Sequence, residues 1–197
     1  MKVLIVYCHP LEGSFSAALR DRVILALTAA DHEIRVLDLY GSGFDPVLSA
    51  QERLDYHTPE VNERQVEDHL AQLRWCEGLV FVYPTWWYGP PAMLKGWLDR
   101  VWIPHATFEM PQPMKPIGRV LTNIRFIAAV STLGSPWWWW KIAMAEPGRK
   151  MLLKGIGALC HPRCKSVWLA LHQIDSASDE KRRRFLGKVE KVFKTLK

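Results

Sequence analysis

The sequence predicts an α/β fold, a doubly wound sheet of five parallel strands with helices on both faces. Three observations carry this reading. Short apolar, β-branched runs alternate five times with longer segments of helical period along the 197 residues. Three of those runs, at 2–7, 78–83 and 126–130, are apolar almost throughout, as strands covered on both faces are. No internal repeat, low-complexity segment or linker divides the chain, so a single domain over residues 1–197 is expected.

The elements follow in order. Lys2–Tyr7 reads as the first strand, with too little ahead of it for a secretory leader. The turn-rich stretch Cys8-His-Pro-Leu-Glu-Gly-Ser-Phe-Ser16 leads into a helix over 17–30, with Ser14 or Ser16 as its cap. Glu33–Asp38 is the second strand. Gly41, Gly43 and Pro46 then mark turns, and Ser49–Tyr56 has room for one or two helical turns. A helix is expected over 59–75, with Val66, Leu70 and Leu73 facing inward. Gly78–Tyr83 is the third strand and should stop at Pro84, which has no N–H to donate. Pro90 and Pro91 pre-set φ for a helix over 92–102. The proline- and methionine-rich 103–117 reads as an irregular excursion. Phe126–Val130 is the fourth core strand, followed by the polar loop Ser131-Thr-Leu-Gly-Ser135. A helix over 141–156, interrupted near Pro147-Gly148, precedes a fifth strand at 166–171 and a last helix at 179–196.

Composition bounds the function. The net charge of +6 gathers late, at Lys181-Arg-Arg-Arg184 and Lys188, Lys191, Lys194 and Lys197. Acidic residues interleave there and no nucleic-acid motif occurs, so a solvated helix face is expected and no nucleic-acid partner. No stretch approaches the roughly 18 apolar residues of a transmembrane segment. A cytoplasmic protein follows, whose Cys8, Cys76, Cys160 and Cys164 are thiols. Cys160-His-Pro-Arg-Cys164 lacks a second ligand pair at zinc-like spacing, so no metal is expected.

In sheets of this kind ligands sit at the carboxyl ends of the strands, where the strand order reverses. Three loops would converge there. The first offers His9, Ser14 and Ser16 beside a helix N-terminus, a natural anion site. The second, Thr85-Trp-Trp-Tyr-Gly89, sets three adjacent aromatics in a loop that has no core of its own, so a flat apolar ligand could lie against them. Packing under a neighbouring loop or at a subunit contact is the alternative. The third, Ser131–Ser135, is small and polar. A planar ring with a phosphate tail fits all three, and a flavin is the economical choice.

The residues Tyr7-Cys-His-Pro with Ser14-Phe-Ser16, Asp38-Leu-Tyr40 with Phe44-Asp-Pro46, and above all Pro84-Thr-Trp-Trp-Tyr-Gly with Pro91-Ala-Met-Leu-Lys-Gly-Trp-Leu-Asp-Arg-Val101 resemble the NAD(P)H:quinone reductase family, the DT-diaphorase-like branch of the flavodoxin-like fold. The resemblance implies the sheet order 2-1-3-4-5. It implies that His9, Ser14, Phe15 and Ser16 hold the phosphate arm of the cofactor. Pro84, Thr85, Trp86, Trp87 and Tyr88 would line the isoalloxazine, with Ser131, Thr132, Gly134 and neighbouring Ser135 against it from the third loop. The cofactor implied is FAD, with FMN as the alternative, and NAD(P)H as co-substrate. The activity implied is ping-pong transfer of a hydride from NAD(P)H to flavin N5, then on to a quinone or similar planar acceptor.

The chain departs from the family in one place. Better-known members follow the fourth strand's loop with a tyrosine and then a histidine that manage protons. Trp139 and Ala145 stand there in a gap-free alignment, and neither exchanges a proton. Trp137, Trp138 and Trp139 with Trp87 offer an aromatic substrate wall instead. Burial of the tryptophan run in a dimer interface is the competing account. A homodimer is expected whose interface takes in Trp97, Trp102, Pro104, Phe108 and Trp137–Trp140. Two other functions remain open: a regulatory flavoprotein, such as an ancillary subunit of a potassium-efflux system, and an electron-carrier flavodoxin, against which the basic pI argues.

Overall fold

The structure, a computed structural model, describes residues 1–111 and 113–196. It begins with β1 (Lys2–Tyr7), α1 (Phe15–Thr28), β2 (Glu33–Asp38), α2 (Ala50–Asp55), α3 (Glu67–Trp75), β3 (Gly78–Pro84) and α4 (Ala92–Val101). A two-stranded ribbon, β4 (Phe108–Glu109) and β5 (Gly118–Arg119), precedes β6 (Phe126–Leu133). The short α5 (Pro147–Arg149), β7 (Lys165–His172) and α6 (Asp179–Lys194) complete it. The main sheet is parallel in the order β2-β1-β3-β6-β7. Counting core strands alone this is 2-1-3-4-5, the flavodoxin-like arrangement. The order reverses between β1 and β3, and Cys8 N–H, just past β1, donates to Val82 O at 3.0 Å and closes that seam.

The period of two along each strand sorts the core into two layers. Leu4, Val6, Leu79 and Phe81 face one way, toward Leu70 and Leu73 of α3 and Leu94 and Trp97 of α4. Val3, Ile5, Val80 and Val82 face the other, toward Leu19 and Val23 of α1 and Phe185 and Val189 of α6. Each such side chain, fully buried, contributes roughly 1.5–3 kcal/mol of transfer free energy. α6 is basic only outside that stripe. Arg22 and Lys194 both pair with Glu190, and Arg184 pairs with Glu180. No helix among the described residues is long and apolar enough to cross a membrane. Nor, among them, does any group of three or more His, Cys, Asp or Glu side chains stand ready to hold a metal. All four cysteines are free thiols.

Several expected boundaries move, each for a local reason. The helix expected over 59–75 is only α3; ahead of it the chain turns, with Glu60 at φ 65°. The Asn62 side-chain amide, bonded to the Tyr56 and Pro104 carbonyls, holds those turns down. β6 runs three residues past Val130, because Pro84 on one side and His172 on the other extend its ladders. Ser131 and Thr132 are therefore strand residues, both buried. The helix expected over 141–156 is broken into wide-turn segments at Trp139–Ala143 and Lys150–Ile156. Ala145 and Glu146 between them are both at φ 55°, a left-handed pair that no helix continues through. Of the aromatics expected at an interface, Trp97, Trp102 and Trp140 are core residues. Trp97 meets Phe81, His69 and Trp102 edge-on, and Trp140 stacks on Trp168 at 5.2 Å. Pro104 is buried as well.

Candidate functional site

The carboxyl ends of β1, β3, β6 and β7 surround a cleft of about 620 Å³, within the roughly 300–1,000 Å³ of small-molecule sites. At one end stands the N-terminus of α1. Ser14 is its cap: extended at φ −80°, it accepts the Ala17 N–H on Oγ at 3.1 Å, and the Tyr7 hydroxyl lies 3.5 Å from the same oxygen. The Phe15 and Ser16 N–H groups come before the first intrahelical bond, and both residues line the cleft. No acidic residue stands in that first turn. His9 also lines the cleft. Its Nδ1 lies 3.0 Å from the Leu11 N–H and 3.2 Å from the Leu11 carbonyl. With Nδ1 accepting the shorter contact, the neutral ring keeps its proton on Nε2 as a further donor. This end is an array of donors suited to an anion.

The middle is built by β3 and β6. Thr85 N–H donates to Thr132 O at 2.8 Å, and the Thr85 and Ser131 hydroxyls lie 2.8 Å apart. Past them Trp86 and Gly89 exchange backbone hydrogen bonds of 3.0 and 3.1 Å. Between these two, Trp87 at φ 48° and Tyr88 at φ 65° make a two-residue turn with both centres left-handed, the geometry that asparagine and glycine usually supply. The Thr85 and Trp86 N–H groups are thus committed within the protein. Those of Trp87 and Tyr88 have no acceptor among the described residues. The Trp87 side chain is 95% exposed. Trp86 tilts toward His9, ring centres 6.4 Å apart.

Thr132 and Gly134 form the opposite wall. A Cβ on Gly134 would sit 2.9 Å from Asp175 Oδ2, so the Asp175 side chain reaches across to the loop after β6. Ile174 and Asp175, which line the cleft here, escaped the sequence reading. The signal was present, since their loop leaves the same edge of the sheet as the other three. A smaller cleft of about 180 Å³ adjoins, lined by Thr85, Trp87, Tyr88, Leu133, Gly134 and Ser135.

The residues singled out in sequence therefore divide. His9, Phe15, Ser16, Pro84, Thr85, Trp86, Trp87, Thr132 and Gly134 meet at the larger cleft, and Tyr88 and Ser135 at the smaller. Ser14 acts as a helix cap, and Ser131 is buried behind Thr85. Trp137 and Trp138 line neither cleft and are 55% and 54% exposed. Trp139 reaches the site indirectly, donating Nε1–H to the Tyr88 hydroxyl at 3.1 Å. Ala145 stands in the left-handed pair that breaks the following helix.

The family model of the flavodoxin-like fold matches residues 1–160. A ribosyldihydronicotinamide dehydrogenase-like protein of Penicillium crustosum is 34% identical over 117 residues, 52% of this chain and 44% of its own. The chain spans about half the length of the curated relatives it matches first. The solved structure of Smu.1420 from Streptococcus mutans superposes with a TM-score of 0.83 at 29% identity, covering 100% of both chains. That of an NAD(P)H:quinone oxidoreductase from Methanothermobacter marburgensis superposes at 0.81 with 25% identity, covering 100% of this chain and 96% of the other.

Proposed function

Because the chain belongs to the family of the flavodoxin-like fold, we propose that it is a single-domain, flavin-dependent NAD(P)H:quinone oxidoreductase of the cytoplasm. The observation that carries this is one cleft joining an acid-free helix N-terminus to an exposed aromatic turn at the switch point of the sheet. The residues present fit a flavin. His9 and the Phe15 and Ser16 N–H groups would hold the phosphate arm, where the helix dipole favours negative charge. Trp86 and Trp87 would border the ring, with Thr85, Thr132 and Gly134 at its edge. The uncommitted N–H groups of Trp87 and Tyr88 are donors for an electron-rich heteroatom. When bound, a flavin would supply two-electron chemistry between NAD(P)H and a planar acceptor. The smaller cleft, sharing Thr85, Trp87 and Gly134 with the larger, is where such an acceptor would lie. FAD is the form proposed, from the Ser14-Phe-Ser16 loop, with FMN as the alternative.

The protein should purify yellow, release a flavin identified by its mass, and oxidise NADH or NADPH with a small quinone. A protein that binds no flavin overturns this reading. One that binds flavin without turnover is a regulatory flavoprotein instead.

A homodimer bordering the site is also proposed. It is supported by the exposed Trp87, Trp137, Trp138, Trp139 and Ile142, of which Trp138 and Trp139 meet edge-on, since clustered apolar surface favours an interface. Sedimentation velocity at micromolar concentration decides it. A single species near 22.7 kDa with undiminished specific activity on dilution refutes the dimer.

A further inference from the structure

Reducing a quinone to a hydroquinone takes two electrons and two protons. One proton travels with the hydride equivalent; the other must come from a donor beside the second oxygen. The side-chain hydroxyls of the smaller cleft are those of Thr85, Tyr88 and Ser135, and the Trp87 indole N–H beside them is too weak an acid to give up its proton. The Thr85 hydroxyl is engaged with Ser131 Oγ at 2.8 Å. Thr and Ser are alkyl alcohols, far weaker acids than a phenol, whose ordinary pKa is about 10.

We propose that Tyr88 is the proton donor to the acceptor's oxygen, with Trp139 as its positioning residue. This rests on the quinone-reductase reading above. The geometry fixes the direction of the hydrogen bond. An indole Nε1–H can only donate, so at 3.1 Å the Tyr88 oxygen accepts from Trp139. The phenol's own proton has no acceptor among the described residues. Accepting one bond makes a hydroxyl a better donor in the next, and the indole stays in place to stabilise the phenolate. The backbone supports the same assignment. Tyr88 is held at φ 65° between the paired Trp86 and Gly89. Gly148 packs beneath it so closely that a Cβ there would lie 3.2 Å from the Tyr88 carbonyl oxygen. A bulky residue kept left-handed and half-exposed is strain that the surroundings maintain.

The step balances. A reduced flavin, when bound, would supply the acceptor with a hydride equivalent, two electrons and one proton. The Tyr88 O–H bond breaks as an O–H bond forms on the acceptor's other oxygen. Water then returns a proton to the tyrosinate.

The test compares Tyr88→Phe and Trp139→Phe with the unaltered holoprotein. The first readout needs no turnover: the Raman carbonyl stretch of bound xanthone, a planar ketone not reduced under these conditions. It should shift down on binding the unaltered protein, lose that shift in Tyr88→Phe, and keep part of it in Trp139→Phe. The second is the ratio of turnover with a small quinone to turnover with ferricyanide, which takes electrons without a proton. That ratio should fall about a hundredfold in Tyr88→Phe, within the 10²–10⁴ range of general acid catalysis, and by less in Trp139→Phe. Using a ratio removes any common loss from misfolding or lost flavin. An unchanged ratio and an unchanged carbonyl shift in Tyr88→Phe overturn the proposal while leaving quinone reduction intact. Absence of quinone turnover in the unaltered protein overturns the underlying reading instead.

Discussion

The hydroxyls of Thr85 and Ser131 lie 2.8 Å apart and tie the carboxyl ends of two neighbouring central strands together. Ser131 is fully buried, and among the described residues its hydroxyl has one other hydrogen bond, a long one of 3.4 Å to the Thr132 carbonyl. Replacing Thr85 by valine keeps the shape and removes the partner. The stranded hydroxyl should lower stability by about 1–3 kcal/mol. Urea denaturation measures this as a lower midpoint at constant slope, and flavin affinity should fall with it.

The left-handed turn at Trp87 and Tyr88 predicts a trade between stability and activity. Non-glycine residues held in such regions cost on the order of 1–3 kcal/mol each. The Trp87 ring, 95% exposed, recovers little by packing. The double change Trp87→Asn with Tyr88→Gly suits the turn's geometry and should raise the denaturation midpoint by the equivalent of about 1–2 kcal/mol. Quinone turnover should collapse in the same protein. An unchanged or lower midpoint would show that the aromatics support the turn.

At the anion end, His9→Ala removes a side-chain donor, and Ser14→Ala removes the helix cap. Their effects should separate. His9→Ala should weaken flavin binding by about 1.5–3 kcal/mol, the worth of a charge-assisted hydrogen bond, with little change in stability. Ser14→Ala should cost about 1 kcal/mol of stability and weaken binding through the loosened α1 N-terminus. Fluorescence titration of flavin, beside thermal melts, distinguishes the two. Equal dissociation constants in all three proteins would show that this loop is only a capped turn.

The ion pair behind α4 sets an acid limit. Burial pushes the Glu52 carboxyl up, but hydrogen bonds from Ser49 and the Arg100 guanidinium outweigh it and hold the group below its ordinary value. Arg100 Nε donates to Glu52 Oε1 at 2.8 Å. A carboxylate depressed on folding adds stability above its unfolded pKa, about 4.3, and loses it as pH falls through the folded value. Unfolding free energies from pH 7 to 3 should therefore fall more steeply in the unaltered protein than in Glu52→Gln, with the curves converging below pH 4. Parallel curves would remove the pair from the account.

What the sequence made legible was governed by local rules. β2 takes the expected bounds, Glu33–Asp38, and the Ser49–Glu52 capping box marks the short helix that was expected after it. The helix after Pro91 ends one residue earlier than expected. What escaped depended on partners distant in the chain. β6 is prolonged by Pro84 and His172, which lie before and after it in sequence. The left-handed Ala145–Glu146 pair has no local signal beyond the proline after it. Nothing in the spacing of Trp97, Trp102 and Trp140 separates a core tryptophan from one at a surface. Asp175 joins the site across a close approach to Gly134 that no local spacing announces.

His9 and Asp175 face the same cleft, although nearly the whole described chain lies between them. During synthesis the donors of the first loop emerge well before the wall that completes the cavity. A nascent chain halted before β7 has docked can offer a cofactor an open edge and no enclosure. Capture of the cofactor is therefore expected only after residues 174 and 175 have emerged and docked. A protein truncated ahead of residue 174 should leave the ribosome colourless even where flavin is plentiful.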